Sequence, residues 1–98
     1  MTREVTLNVG GAPIPLDYFV ERFVDHTVVG MIAALEGTGE IGTLDLTIDG
    51  DAVAVTLNDA PLPVNAFVSK IIGSTVRGMV SVLKGVSDTT RIKILVRR

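Results

Sequence analysis

Residues 5–16 read Val5-Thr6-Leu7-Asn8-Val9-Gly10-Gly11-Ala12-Pro13-Ile14-Pro15-Leu16, and residues 53–64 read Val53-Ala54-Val55-Thr56-Leu57-Asn58-Asp59-Ala60-Pro61-Leu62-Pro63-Val64. The second stretch is the first again, forty-eight residues on and without a gap. Val5, Leu7 and Val9 alternate with Thr6 and Asn8, the period-two pattern of a half-buried strand. Gly10-Gly11 and its counterpart Asn58-Asp59 both tolerate the positive φ that a two-residue type I′ turn requires. Folded about that turn, Val9 faces Ala12, Leu7 faces Ile14 and Val5 faces Leu16, so all six share one face. Pro13 then falls opposite Asn8 and Pro15 opposite Thr6, positions whose N–H points away from the partner strand, so the missing donor costs nothing there. Pro61 and Pro63 repeat this opposite Thr56 and Ala54. No further strand can pair on the outer side, so each Pro-x-Pro segment is expected to be an edge. The competing reading is a short polyproline-like loop leading into a helix.

Outward from these stretches the same offset continues through Phe19/Phe67, Val20/Val68, Thr27/Thr75, Val28/Val76, Gly30/Gly78, Met31/Met79 and Leu35/Leu83 to Gly37/Gly85. A repeat of this period is the first thing to seek in a chain, and two copies suit a pseudo-symmetric domain rather than a solenoid. Asp17 and Asn65 are good N-caps. Apolar residues follow at helical spacing: Phe19, Val20, Phe23, Val24, Val28, Met31, Ile32 and Leu35, then Phe67, Val68, Ile71, Ile72, Val76, Met79, Val80 and Leu83. Gly37 and Gly85 sit where a left-handed C-terminal glycine belongs. The pattern predicts helices over 17–36 and 65–84. Gly30 and Gly78 lie inside them, where glycine costs about 1 kcal/mol against alanine. Close backbone approach, helix on helix or helix on sheet, is the expected reason.

After each helix an alternating strand returns, Leu44-Leu46-Ile48 and Ile92-Ile94-Val96. Asp49-Gly50 reads as a hairpin turn setting Leu46 opposite Val53 and Leu44 opposite Val55. No Pro/Ser-rich linker parts the copies, so residues 1–98 are expected to form a single domain of two repeats, 3–50 and 51–98. The fold class is α+β: an internally duplicated β(β)αβ unit with two helices on one face of a mainly antiparallel sheet. Without the proline strands the order βαββαβ resembles the ferredoxin-like fold, and the resemblance is one of element order alone. With them, a variant with two Pro-x-Pro edge strands at the ends of a six-stranded sheet is expected.

The 98 residues contain no cysteine, so there is no disulfide framework and no cysteine metal site. The apolar stretches are broken by charges or glycine, which argues against a membrane span. The first residues lack the apolar core of a signal peptide, so a cytoplasmic protein is expected. The net charge of −2 hides a division. Residues 1–48 carry two basic and seven acidic side chains (2 − 7 = −5), and residues 49–98 carry seven and four (7 − 4 = +3).

Chemistry is scarce. His26 is the only histidine, its match is Ser74, and one histidine defines no catalytic set. Asp49-Gly50-Asp51 lacks the ligand spacing of a calcium loop, and Gly10-Gly11 is not part of a phosphate-loop motif. No catalytic residue, metal site or cofactor is expected, and the chain does not read as an enzyme. Lys70, Arg77 and Lys84 recur every seven residues and form a candidate anion- or nucleic-acid-binding stripe. A pI near 5.2 and a polar sheet face without aromatics speak against nucleic acid as the partner. Apolar residues off the main helical stripe (Tyr18, Val29, Ala33 and, after the second helix, Val86) point to self-association. The preferred expectation is a non-catalytic binding or assembly module acting as a homodimer, with room for another protein partner. The alternatives are a small anion- or nucleic-acid-binding regulator using the basic stripe, and a small-ligand sensor using a cleft between the halves.

Overall fold

Positive φ appears where the turn residues require it. In a computed structural model, which describes residues 4–35, 39–83, 85, 86 and 88–97, Gly10 and Gly11 have φ of 61° and 84°, and Asn58 and Asp59 have 51° and 67°. These turns join β1 (Glu4–Val9) to β2 (Ala12–Pro13) and β4 (Ala52–Leu57) to β5 (Ala60–Leu62). The register is Val9 with Ala12 and Asn8 with Pro13, then Leu57 with Ala60 and Thr56 with Pro61. Pro15 and Pro63 fall outside the paired residues. The remaining elements are α1 (Tyr18–Ala33), β3 (Thr43–Asp49), α2 (Ala66–Val80) and β6 (Arg91–Arg97).

The six strands form one antiparallel open sheet in the order β2-β1-β6-β3-β4-β5. The two helices cover one side of it, a small α+β arrangement consistent with a fold of the ferredoxin-like type. In the ferredoxin-like order the first strand is central, between two long strands. Here β1 has the short β2 outside it, and β6 and β3 hold the centre. At that centre Leu46 pairs with Ile94, the residue forty-eight places along.

The β3–β4 turn corrects an expected register. Asp49 remains in β3 and pairs with Ala52, so Ile48 faces Val53 and Leu46 faces Val55. Gly50, at φ 59°, occupies the first central position, where type II′ turns place glycine. The shift is two residues, so every side chain keeps its face.

Both N-caps form, with the side-chain oxygens of Asp17 and Asn65 accepting from the Val20 and Val68 N–H groups at 2.8 Å. The C-termini come earlier than glycine spacing suggested, at Ala33 and Val80. A tighter bond, Leu83 N–H to the Val80 carbonyl at 3.0 Å, and the Ser81 hydroxyl on the Gly78 carbonyl at 3.0 Å take up terminal carbonyls of α2. Gly85 is left-handed (φ 87°) but lies well past the helix, while Gly37 is outside the described residues.

One cluster forms the core. Leu7, Val9, Leu44, Leu46, Ile48, Val55, Leu57, Ile92, Ile94 and Val96 project from the sheet, and Val24, Val28, Ile32, Ile72, Val76 and Val80 come down from the helices. The opposite face is polar, with Thr6, Thr47, Ala54 and Lys93 exposed and Asn8, Asp45 and Thr56 half-buried. Asp45 Oδ1 is buried there without a hydrogen-bond partner.

Gly30 and Gly78 overturn the close-approach expectation within the chain. Both are exposed, and a Cβ at either would meet nothing within 4 Å. Residues on the core side of each helix are already satisfied by the valines and isoleucines above, and the glycines lie on the side away from the sheet.

Candidate functional site

Each helix has more apolar residues than the sheet can cover. Val24, Val28 and Ile32 fill the α1 side of the core, and Ile72, Val76 and Val80 fill the α2 side. Phe19 and Phe67, matching residues, are each left 71% exposed, and Phe23, Ile71, Tyr18 and Val82 are exposed as well. At 3.6 residues per turn, Phe19, Phe23 and Gly30 point within roughly 40° of one another on α1. Phe67, Ile71 and Gly78 do so on α2. The outer surface of the helix layer therefore carries the same stripe twice, two bulky apolar residues followed by a bare backbone position.

The patch is ordered locally. Phe19 and Phe23 stack at 6.0 Å between ring centroids, tilted by 45°. The Arg22 guanidinium lies 5.6 Å from the centre of the Tyr18 ring. An apolar crevice of about 280 Å³ runs between the helices, lined by Phe19, Val20, Phe23, Val24, Met79, Val82 and Leu83. Of the residues named from sequence as surplus, Tyr18 and Ala33 are exposed, but Val29 and Val86 pack against the core. The phenylalanines were the stronger signal. Their helical spacing makes them part of an apolar arc wider than one sheet face needs.

The basic residues do not form a uniform row. Lys70 is exposed on α2. Arg77 is half-buried and turned toward the sheet: its Nε donates to the Thr89 carbonyl at 3.1 Å, and its Nη2 donates to the Gly50 carbonyl. It thereby ties α2 to the β3–β4 turn and to the segment before β6. Lys84 lies outside the described residues. Lys70 and Arg77 instead share a groove of about 600 Å³ between α2 and residues 50–53, which Ser69, Gly73 and Ser74 also line.

His26 is exposed beside Tyr18, Phe19 and Phe23. Asp25 is fully buried in α1 and is not without a partner. Among the described residues no group of three or more His, Cys, Asp or Glu side chains could hold a metal ion. Among the described residues no helix is long and apolar enough to cross a membrane. No family model, curated protein or solved structure matches the chain.

Proposed function

We propose that this chain is a non-catalytic assembly module that forms a homodimer by stacking its helix layer on that of a second copy, its two halves being copies of one unit. The observation carrying this reading is the doubled outward stripe, Phe19-Phe23-Gly30 and Phe67-Ile71-Gly78. Large exposed apolar patches on a small domain mark interaction sites. The glycines fit the same surface, because a residue without Cβ lets a facing helix come close.

A second copy is the occupant best suited to this face. The molecule is a slab of 35 × 34 × 18 Å, and its broad side can supply the roughly 800 Å² per partner of a standard interface. A two-fold that lays α1 over the partner's α2 sets the helix carrying Asp17, Glu21 and Arg22 against the helix carrying Lys70 and Arg77. That pairing is attractive twice over, as an isologous interface requires.

Sedimentation velocity over a dilution series tests the proposal. The wild type is expected to sediment as a dimer, and Phe19→Ser with Phe67→Ser as a folded monomer. A wild type that stays monomeric at every concentration overturns it. The nucleic-acid reading has less support, since Arg77 spends two donors on backbone carbonyls and Lys70 alone makes no track along a phosphate backbone.

A further inference from the structure

The groove over Gly73 is a separate feature from the apolar stripe. On α2, Ala66, then Ser69 and Lys70, then Gly73 and Ser74, then Arg77 come three or four residues apart from one turn to the next along one side, and they face the turn from β3 into β4. At about 600 Å³ the hollow falls within the range of small-molecule sites, about 300–1,000 Å³. The matching positions in the first half are Tyr18, Glu21, Arg22, Asp25, His26 and Val29. Asp25 is buried there, at the place where Gly73 offers no side chain. The shared scaffold therefore does not need the hollow, which exists where larger residues have given way to Ala66, Ser69, Gly73 and Ser74.

The groove has directed chemistry. The two carbonyl bonds of Arg77 fix its guanidinium. Its third nitrogen, Nη1, lies 3.7 Å from where a Gly73 Cβ would stand. Among the described residues Nη1 has no acceptor, and the Lys70 ammonium and the Ser69 and Ser74 hydroxyls have no side-chain partner. Ala52, Val53 and Ala66 add an apolar wall, and Asp51 adds one negative charge.

We propose that this groove binds a small molecule bearing one compact oxyanion, a carboxylate or a phosphate monoester, with the oxyanion between Lys70 and Arg77 Nη1 and an apolar body against Ala52 and Val53. A planar guanidinium held in place loses little freedom on pairing with an oxyanion. Asp51 disfavours extended polyanions, which separates this site from a nucleic-acid track.

The test is an amide and arginine-side-chain NMR titration with two probes, hexanoate and inorganic phosphate, whose relative affinities distinguish the two sources of the oxyanion. The expected result is saturable shifts at Gly50, Gly73, Ser74 and Arg77 Nε–H with at least one probe at millimolar concentration. Lys70→Gln is expected to weaken binding roughly tenfold, the loss of one charge-assisted contact. Gly73→Ala, whose Cβ meets only ordinary contacts at 3.7 Å from Arg77 Nη1 and 3.8 Å from Val53, is expected to narrow the groove and weaken binding with the remaining spectrum intact. Absence of shifts with both probes overturns the proposal. So does binding that Lys70→Gln leaves unchanged, or tighter binding of a DNA oligonucleotide at the same amides.

Discussion

Replacing Gly30 and Gly78 by alanine separates the two environments these positions have. Within one chain both are open, with nothing within 4 Å of an added Cβ and neither at positive φ. Alanine should then stabilise the monomer through backbone entropy and helix propensity alone, by about 1 kcal/mol at Gly30. Gly78 lies in the last turn of α2, where about half of that gain is expected. The positions are distant, so the double variant should gain about 1.5 kcal/mol. For a domain of this size that raises Tm by roughly 6–12 °C. Between two copies the sign reverses. A methyl group at a close helix crossing costs about 1–3 kcal/mol, and the two-fold repeats each substitution across the interface. Urea unfolding at concentrations low enough for monomer reads the first effect, and sedimentation equilibrium reads the second. The expected outcome is a more stable monomer that dimerises at least tenfold more weakly. A monomer that loses stability would show an intramolecular contact at these glycines. An unchanged dissociation constant would remove them from the interface.

Further outcomes follow from single side chains. Arg77→Met should destabilise the fold by about 2–3 kcal/mol in chemical denaturation, because the Gly50 and Thr89 carbonyls lose their donors, and Arg77→Lys should restore little since it lacks the fork. Asp45→Thr should raise stability by about 1 kcal/mol in the same assay, because it removes a buried oxygen without a partner and suits a strand. Asp88 is held below its ordinary 3.8, first by the Thr90 hydroxyl at 2.6 Å and then by the Thr90 N–H at 2.9 Å. A folded pKa below the unfolded one adds stability above about pH 3.8 that is lost as pH falls through the folded value. Thr90→Val should therefore move the Asp88 carboxyl titration, followed by NMR, back up toward 3.8.

The hairpins were legible because their determinants are local. Gly10-Gly11 and Asn58-Asp59 specify positive φ by residue type, and the alternation of Val5, Leu7 and Val9 specifies the face. Asp17 and Asn65 marked the helix starts for the same reason. The sheet order was less accessible, because which long strands meet depends on contacts across the whole chain. The exposure of Phe19, Phe23, Phe67 and Ile71 was not legible, because a helical period shows that residues share a broad side, not how much of that side the sheet covers. Arg77 looked like a surface cation because nothing near it in sequence announces the Gly50 and Thr89 carbonyls. The groove did leave a trace, Gly73 and Ser74 standing where the first half has Asp25 and His26, together with Ala66 for Tyr18 and Ser69 for Glu21. That difference is visible only when the copies are compared for what they do not share.

The position of β6 sets the order in which this domain can be made. Among the described residues it follows every other strand, yet it lies between β1 and β3 and is the only strand joining the β1–β2 hairpin to β3, β4 and β5. A nascent chain halted before Arg91 holds one hairpin, β1–β2, and one three-stranded sheet, β3–β4–β5, with no hydrogen-bonded edge in common. Ile92, Ile94 and Val96 would also be missing from the core. The sheet therefore cannot be completed during synthesis of the earlier strands and must wait for the final one to emerge. Until then β1 and β3 present unpaired edges, the state in which strand-rich chains are most exposed to wrong partners. The prolines blunt the outer edges of the finished sheet, whereas protection of the inner ones depends on the prompt arrival of seven residues, Arg91–Arg97.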